Sequence, residues 1–173
     1  DPGSPVRPGS VVDSNAPMLV ALCQRVGAVA ESRRAPDDLE STRLAIRAAL
    51  TEADVLITIG GVSVGDHDHV RDALVAEGVA LDFWKVAIKP GKPLAFGIKG
   101  EQRVLGLPGN PAAAFATFTA FVAPLLRAMQ GDARPFARTV PMRLARAAKA
   151  GPQRLELARA RFVVEQGEQR IAV

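Results

Sequence analysis

The sequence predicts an α/β fold with a mostly parallel sheet covered by helices, and three observations predict it. Val55-Leu56-Ile57-Thr58-Ile59 is apolar on both faces and too short for a helix, as a central parallel strand must be when helices cover both sides. Helical spacing of apolar residues alternates with such runs as far as Gln130. Three loops follow apolar runs: Gly60-Gly61-Val62-Ser63-Val64-Gly65, Lys89-Pro90-Gly91-Lys92-Pro93 and Leu107-Pro108-Gly109-Asn110-Pro111, of which the first and third each open a helix. Loops at the carboxyl ends of parallel strands converge, and helix N-termini there present N–H groups to anionic ligands.

The elements follow in order. Asp1 to Ser10 holds three prolines and two glycines and predicts an irregular lead-in. Asn15 reads as an N-cap, with Pro17 in the first turn, Leu19, Leu22 and Val26 as the apolar stripe, and Gly27 as the stop. A short strand is expected over Ala28 to Arg33. Pro36-Asp37-Asp38 opens a second helix whose apolar positions include Leu39, Ile46 and Leu50, ending before Asp54. After the Val55–Ile59 strand and its glycine loop, a helix is expected from Asp68 to Glu77, stopped by Gly78, and then one extended segment from Val79 to Ile88. Leu94 to Ile98 and Arg103 to Leu107 read as a hairpin, which would make the sheet mixed. Pro111 to Gln130 is the longest helix, with Phe115, Phe118, Phe121 or Val122, and Leu125 on its core face and Pro124 as a kink. Beyond Pro135 the chain turns to Arg-rich β-type segments, so residues 1–135 read as an α/β domain and residues 136–173 as part of a second, all-β piece.

Composition narrows the function. The chain of 173 residues is 48% apolar and 23% charged, as folded globular proteins are. A formal charge of +4 favours small anions, while seven Phe, one Trp and no Tyr leave nothing to stack nucleic-acid bases. The single Cys23 excludes an intrachain disulfide and a multi-cysteine metal site, reads as a core residue, and fits a cytoplasmic protein. No stretch is expected to approach the ~20 apolar residues of a membrane span.

Within the loops, glycines let the backbone approach a ligand, and Ser63 adds a hydroxyl. Asp66, Asp68 and Asp72 suit capping of the next helix, and carboxylates beside a phosphate cradle also suit Mg²⁺. His67 and His69, two apart, point to different helix faces and are expected to face solvent. Extended backbone from Phe83 to Lys89 would put Lys85 and Lys89 on one face, and Pro90 and Pro93 would hold Lys92 beside them as a stiff cationic lip for a polyanion. Asn110 before Pro111 is a helix start, preceded by the rigid Pro108-Gly109 step.

Gly60 to Gly65 with Asp68, the Lys-x-x-x-Lys-Pro-Gly-Lys-Pro run from Lys85 to Pro93, and Leu107 to Pro111 together resemble the molybdopterin molybdenumtransferase family, which includes the gephyrin E-domain type. Asp13-Ser14-Asn15 and Asp37-Asp38 match as well, so the resemblance covers nearly all of residues 1 to 131. It implies a three-layer α/β/α molybdopterin-binding fold followed by the start of a small C-terminal β-barrel-like domain. The implied activity is Mg²⁺-dependent cleavage of adenylylated molybdopterin, insertion of molybdate and release of AMP. Asp37, Asp68, Lys85 and Lys89 match catalytic positions, with Asp37 and Asp68 as the magnesium ligands. Gly60, Gly61, Ser63, Gly65, Lys92, Pro108, Gly109, Asn110, Pro111 and Arg159 match substrate-binding positions. The implied partners are the pterin substrate, a second copy of the full-length protein, molybdopterin adenylyltransferase and molybdoenzymes, with no nucleic acid and no membrane.

The family also has a strand ending in Thr-Gly-Asp-Glu ahead of the lead-in, and two further N-terminal domains. The sequence starts at Asp1 without them and reads as a fragment of a longer enzyme. Asp66 stands where relatives often have Glu. The alternatives are a molybdopterin adenylyltransferase of the same fold, whose relatives lack the Lys-Pro-Gly-Lys-Pro and β-domain combination, and a non-catalytic pterin-binding scaffold module.

Overall fold

A computed structural model describes residues 12–61, 69–149, 151, 153–165 and 168–173. Helices α1 (Asn15–Arg25) and α2 (Leu39–Glu52) precede strand β1 (Val55–Ile59), followed by α3 (His69–Ala76), β2 (Ala80–Phe83) and the two-residue β3 (Ile88–Lys89). The hairpin β4 (Ala95–Lys99) and β5 (Gln102–Leu107) leads into α4 (Pro111–Thr117), a π-helical turn over Phe118–Val122, and α5 (Ala123–Met129). Three strands lie near the C-terminus: β6 (Leu155–Glu156), β7 (Arg161–Glu165) and β8 (Glu168–Ala172).

The main sheet has the order β1-β5-β4-β2. β1 pairs in parallel with β5 from Val55 opposite Arg103 to Ile59 opposite Leu107, whereas β5–β4 and β4–β2 are antiparallel. Three of the four strands therefore run one way and only β4 is reversed, which is how the expected hairpin enters a sheet otherwise of one direction. β5 alternates across the layers. Leu105 and Leu107 join Leu19, Cys23, Phe118, Val122 and Leu126 on the face covered by α1, α4 and α5. Val104 joins Ile46, Leu50, Ala73, Leu74 and Val79 on the face covered by α2 and α3. Two helical layers thus cover one sheet, each buried large side chain contributing roughly 1.5–3 kcal/mol. Cys23 is a core residue as expected, and burial pushes its thiol pKa up.

Glu77, 7% exposed after α3, is held by α2. Arg47 donates to both its carboxylate oxygens, at 2.8 and 2.9 Å, and Arg43 Nε donates at 3.2 Å. These bonds, Arg47's first, hold the carboxyl below the usual glutamate range against the opposing effect of desolvation.

Several expectations change. Ala28 to Arg33 forms no strand: Ala28 and Ala30 pack on the core and Val29 is fully exposed, but the segment has no ladder partner among the described residues. The single segment from Val79 to Ile88 divides, because β2 pairs with β4 while β3 pairs with the distant β6. Asp13, not Asn15, caps α1, its Oδ1 accepting from Asn15 N at 2.9 Å and Ala16 N at 3.1 Å. Pro124 does not simply kink the long helix. It sits in the first turn of α5, and the wider π turn ahead of it accommodates a ring that would strike the carbonyl four residues back. The buried face then reads Ala114, Phe118, Val122 and Leu126, leaving Phe115 49% exposed. Contrary to expectation, Pro111–Met129 is long and apolar enough to cross a membrane, but this is the helical run whose buried face builds the core.

Candidate functional site

The parallel pairing of β1 with β5 sets their outgoing loops side by side. Gly60 N donates to Leu107 O at 3.0 Å, and a Cβ added to Gly109 would lie 3.7 Å from Gly60 Cα. Gly60 and Gly61 both adopt positive φ, at 76° and 66°, a turn that side chains resist. Ser63, Gly65, Asp66, His67 and Asp68 lie outside the described residues.

Asn15 was read as a cap and turns out to join this cluster. Its Nδ2 donates to Gly109 O at 2.7 Å, across 94 positions of sequence, and its Oδ1 is buried without a partner among the described residues. The only signal in the sequence was its place in the Asp13-Ser14-Asn15 match. Asn110 caps α4 as expected, its Oδ1 accepting from Ala112 N and Ala113 N at 3.0 and 3.2 Å, with Pro111 in the first turn. Ala114 N is used by Asn110 O. The first-turn donors are thereby occupied, which corrects the expectation of free N–H groups at this helix start. Pro108 is buried and Gly109, its carbonyl held by Asn15, is exposed.

The lysine segment is fixed from two directions. Lys92 O accepts from Val86 N at 3.0 Å, which folds the loop back on the residues that lead into β3. Gly91, buried with φ 113° after the cis Lys89–Pro90 bond, packs against Thr117 of α4 and Ile88, where a Cβ would collide with the Thr117 methyl and lie 3.0 Å from Ile88 Cδ1. Exposure alternates as the period of two predicts, although the ladder does not run through. Lys85 and Lys89 are exposed, Val86 is half-buried and Ile88 buried; Lys92 is exposed as well.

On the acidic side, Asp38 Oδ1 caps α2 by accepting from Ser41 N at 2.8 Å. The Ser41 bonds hold its carboxyl below the usual range, with a smaller pull from His69 at the head of α3. His69 itself is half-buried. Asp37, next to this cap, keeps an exposed carboxylate. Among the described residues no three His, Cys, Asp or Glu side chains gather as a metal centre.

The C-terminal segment reaches the lysines through β6, which pairs in parallel with β3. Leu155 N donates to Ala87 O at 2.9 Å and Leu157 N to Lys89 O at 2.7 Å. Glu156 consequently stands opposite Lys89, its Oε1 3.6 Å from Nζ while accepting from Gly151 N at 3.3 Å. Arg159, two residues past Leu157, is exposed. Sequence reasoning missed Glu156 altogether.

A domain model described as a probable molybdopterin binding domain matches residues 3–128. The chain belongs to this molybdopterin-binding family. Molybdopterin molybdenumtransferase of Haemophilus influenzae is 40% identical over 131 residues, covering 75% of this chain and 32% of that protein. The enzyme of the same name from Nostoc sp. is 40% identical over 137 residues, covering 75% and 31%. The crystal structure of the molybdopterin biosynthesis moeA protein from Pyrococcus horikoshii superposes with a TM-score of 0.67 at 31% identity, over 76% of this chain and 32% of that one. The chain spans about a third of the length of these relatives. As a family member it shares their α/β architecture.

Proposed function

We propose that this chain is the pterin-binding part of a molybdopterin molybdenumtransferase, which inserts molybdate into adenylylated molybdopterin with release of AMP. The observation that carries the reading is that the Gly60 and Gly109 loops leave two parallel strands side by side, Gly60 N bonded to Leu107 O and Gly109 O held by Asn15. Backbone forms the floor there, so a planar, anionic ligand approaches closely. Lys85, Lys89 and Lys92 supply the cationic side for the adenylate phosphate and molybdate, and prearranged charges of this kind stabilise charge that develops during transfer. Arg159 is a fourth cation for the same anions.

Asp37 suits Mg²⁺, because its carboxylate is exposed and the neighbouring Asp38 already performs the capping, and this hard ion takes one or two carboxylates with the rest of its shell from substrate and water. Asp68 is the proposed second carboxylate. When bound, the ion would offset phosphate charge and polarise the bond to AMP. The enzyme is proposed to act in the cytoplasm as a homodimer, between molybdopterin adenylyltransferase and the molybdoenzymes that receive the cofactor; its lone, buried Cys23 suits a reducing compartment. Residues 1–135 would form the α/β domain and 136–173 part of the β-domain.

The test is to mix full-length protein with adenylylated molybdopterin, Mg²⁺ and molybdate and to follow AMP. Release of AMP that falls at least tenfold in Asp37→Asn supports the reading, general electrostatic roles of this kind being worth roughly 10²–10³ in rate. ATP consumption with bare molybdopterin would favour the adenylyltransferase, and pterin binding without turnover the scaffold.

A further inference from the structure

Lys89 does not meet an incoming anion alone. Among the described residues Glu156 is the one acid paired with a lysine of the 85–92 segment, and its placement is not that of a wandering surface side chain. The backbone bonds from Leu155 N and Leu157 N fix its register opposite Lys89, and Gly151 N holds the same Oε1 that faces Nζ. Glu156 is 29% exposed in its side chain against 66% for Lys89, so the lysine is the more open partner of the pair.

We propose that Glu156 is a specificity-determining counter-ion of the Lys89 site, positioning the ammonium and weakening its hold on oxyanions in proportion to their charge. This rests on the reading of Lys89 as an anion-binding lysine. An oxyanion bonded to Nζ on the side away from Glu156 would sit roughly 6–7 Å from the carboxylate, where repulsion in a near-aqueous dielectric weakens a monoanion about threefold. The energy scales with ligand charge, so a dianion is weakened by the square of that factor, about tenfold. A cleft with several cations and no such acid would retain dianions, products included. Glu156 keeps the exchange reversible.

The experiment uses full-length protein and two tetrahedral probes of different charge, sulfate and perchlorate, titrated at fixed ionic strength because exposed charges are screened by salt. Glu156→Gln retains an oxygen for Gly151 N and removes the charge. The expected result is tighter binding by about threefold for perchlorate and about tenfold for sulfate, with Glu156→Asp, which keeps the charge, close to the parent ratio. A purely structural role would not distinguish the probes. Lys89→Ala separates the two levels of the argument. If it weakens sulfate but Glu156→Gln changes nothing, or changes both anions equally, the role of Glu156 is overturned while the anion site stands. If Lys89→Ala leaves sulfate affinity unchanged, the anion-site reading falls and takes the Glu156 proposal with it.

Discussion

Gly91→Ala tests how the lysine loop is held. At φ 113° an L side chain costs roughly 1–2 kcal/mol from backbone strain alone. The added methyl would also collide with Thr117 Cγ2 and approach Ile88 Cδ1 to 3.0 Å, both in a close-packed region, which adds about 1–3 kcal/mol. The sum is about 2–5 kcal/mol. Urea unfolding of the full-length protein reads it directly, since a slope of roughly 1–3 kcal/mol per molar converts that loss into a midpoint lowered by at least ~0.7 M. A second substitution divides the two causes. Thr117→Ser removes the methyl yet keeps the hydroxyl that donates to Ala113 O and Ala114 O at 2.8 and 3.1 Å. In that background Gly91→Ala should cost about 1 kcal/mol less, the steric share having been relieved. A midpoint unchanged by Gly91→Ala in the parent protein would refute both the loop conformation and its packing on α4.

Two further outcomes follow from other parts of the molecule. Gly109→Ala should leave the unfolding free energy within about 0.5 kcal/mol of the parent, because the new methyl meets Gly60 Cα at an ordinary 3.7 Å and the glycine has no positive φ, yet it should weaken sulfate or pterin binding by thickening the backbone floor. A large loss of stability would contradict the described spacing. For Glu77, whose folded-state carboxyl is held low by Arg47, the stabilisation is fully present above the ordinary glutamate value near ~4.3 and is lost as pH falls through the lower folded value. Unfolding midpoints taken from neutral to acid pH should show this decline, and Glu77→Gln should flatten it; a parallel decline in the variant would remove Glu77 from the acid response.

What could be read in the sequence was local. Val55–Ile59 announced itself through apolar character on both faces, Asn110-Pro111 through capping grammar, and the hairpin through the turn between Lys99 and Gln102. What could not be read depended on partners far along the chain. Val79 to Ile88 looked like one strand because its composition is uniform, but β2 finds β4 while β3 finds Leu155–Glu156, and no local pattern reports that change of partner. Asn15 fits a cap by type and position; Asp13 performs that service, and Asn15 is drawn to Gly109 instead. Glu156 was invisible for a similar reason, since an acid in an Arg-rich stretch acquires meaning only once its strand lies beside Lys89.

The docking of β6 on β3 bears on any attempt to dissect the chain. Truncation at residue 135 follows the change in sequence character, but it would strip Ala87 O and Lys89 O of their donors and leave the cationic strand without its neighbour. The isolated amino-terminal piece would then carry its lysines on an unsupported edge, so a weak ligand response from it would report lost scaffolding rather than lost chemistry.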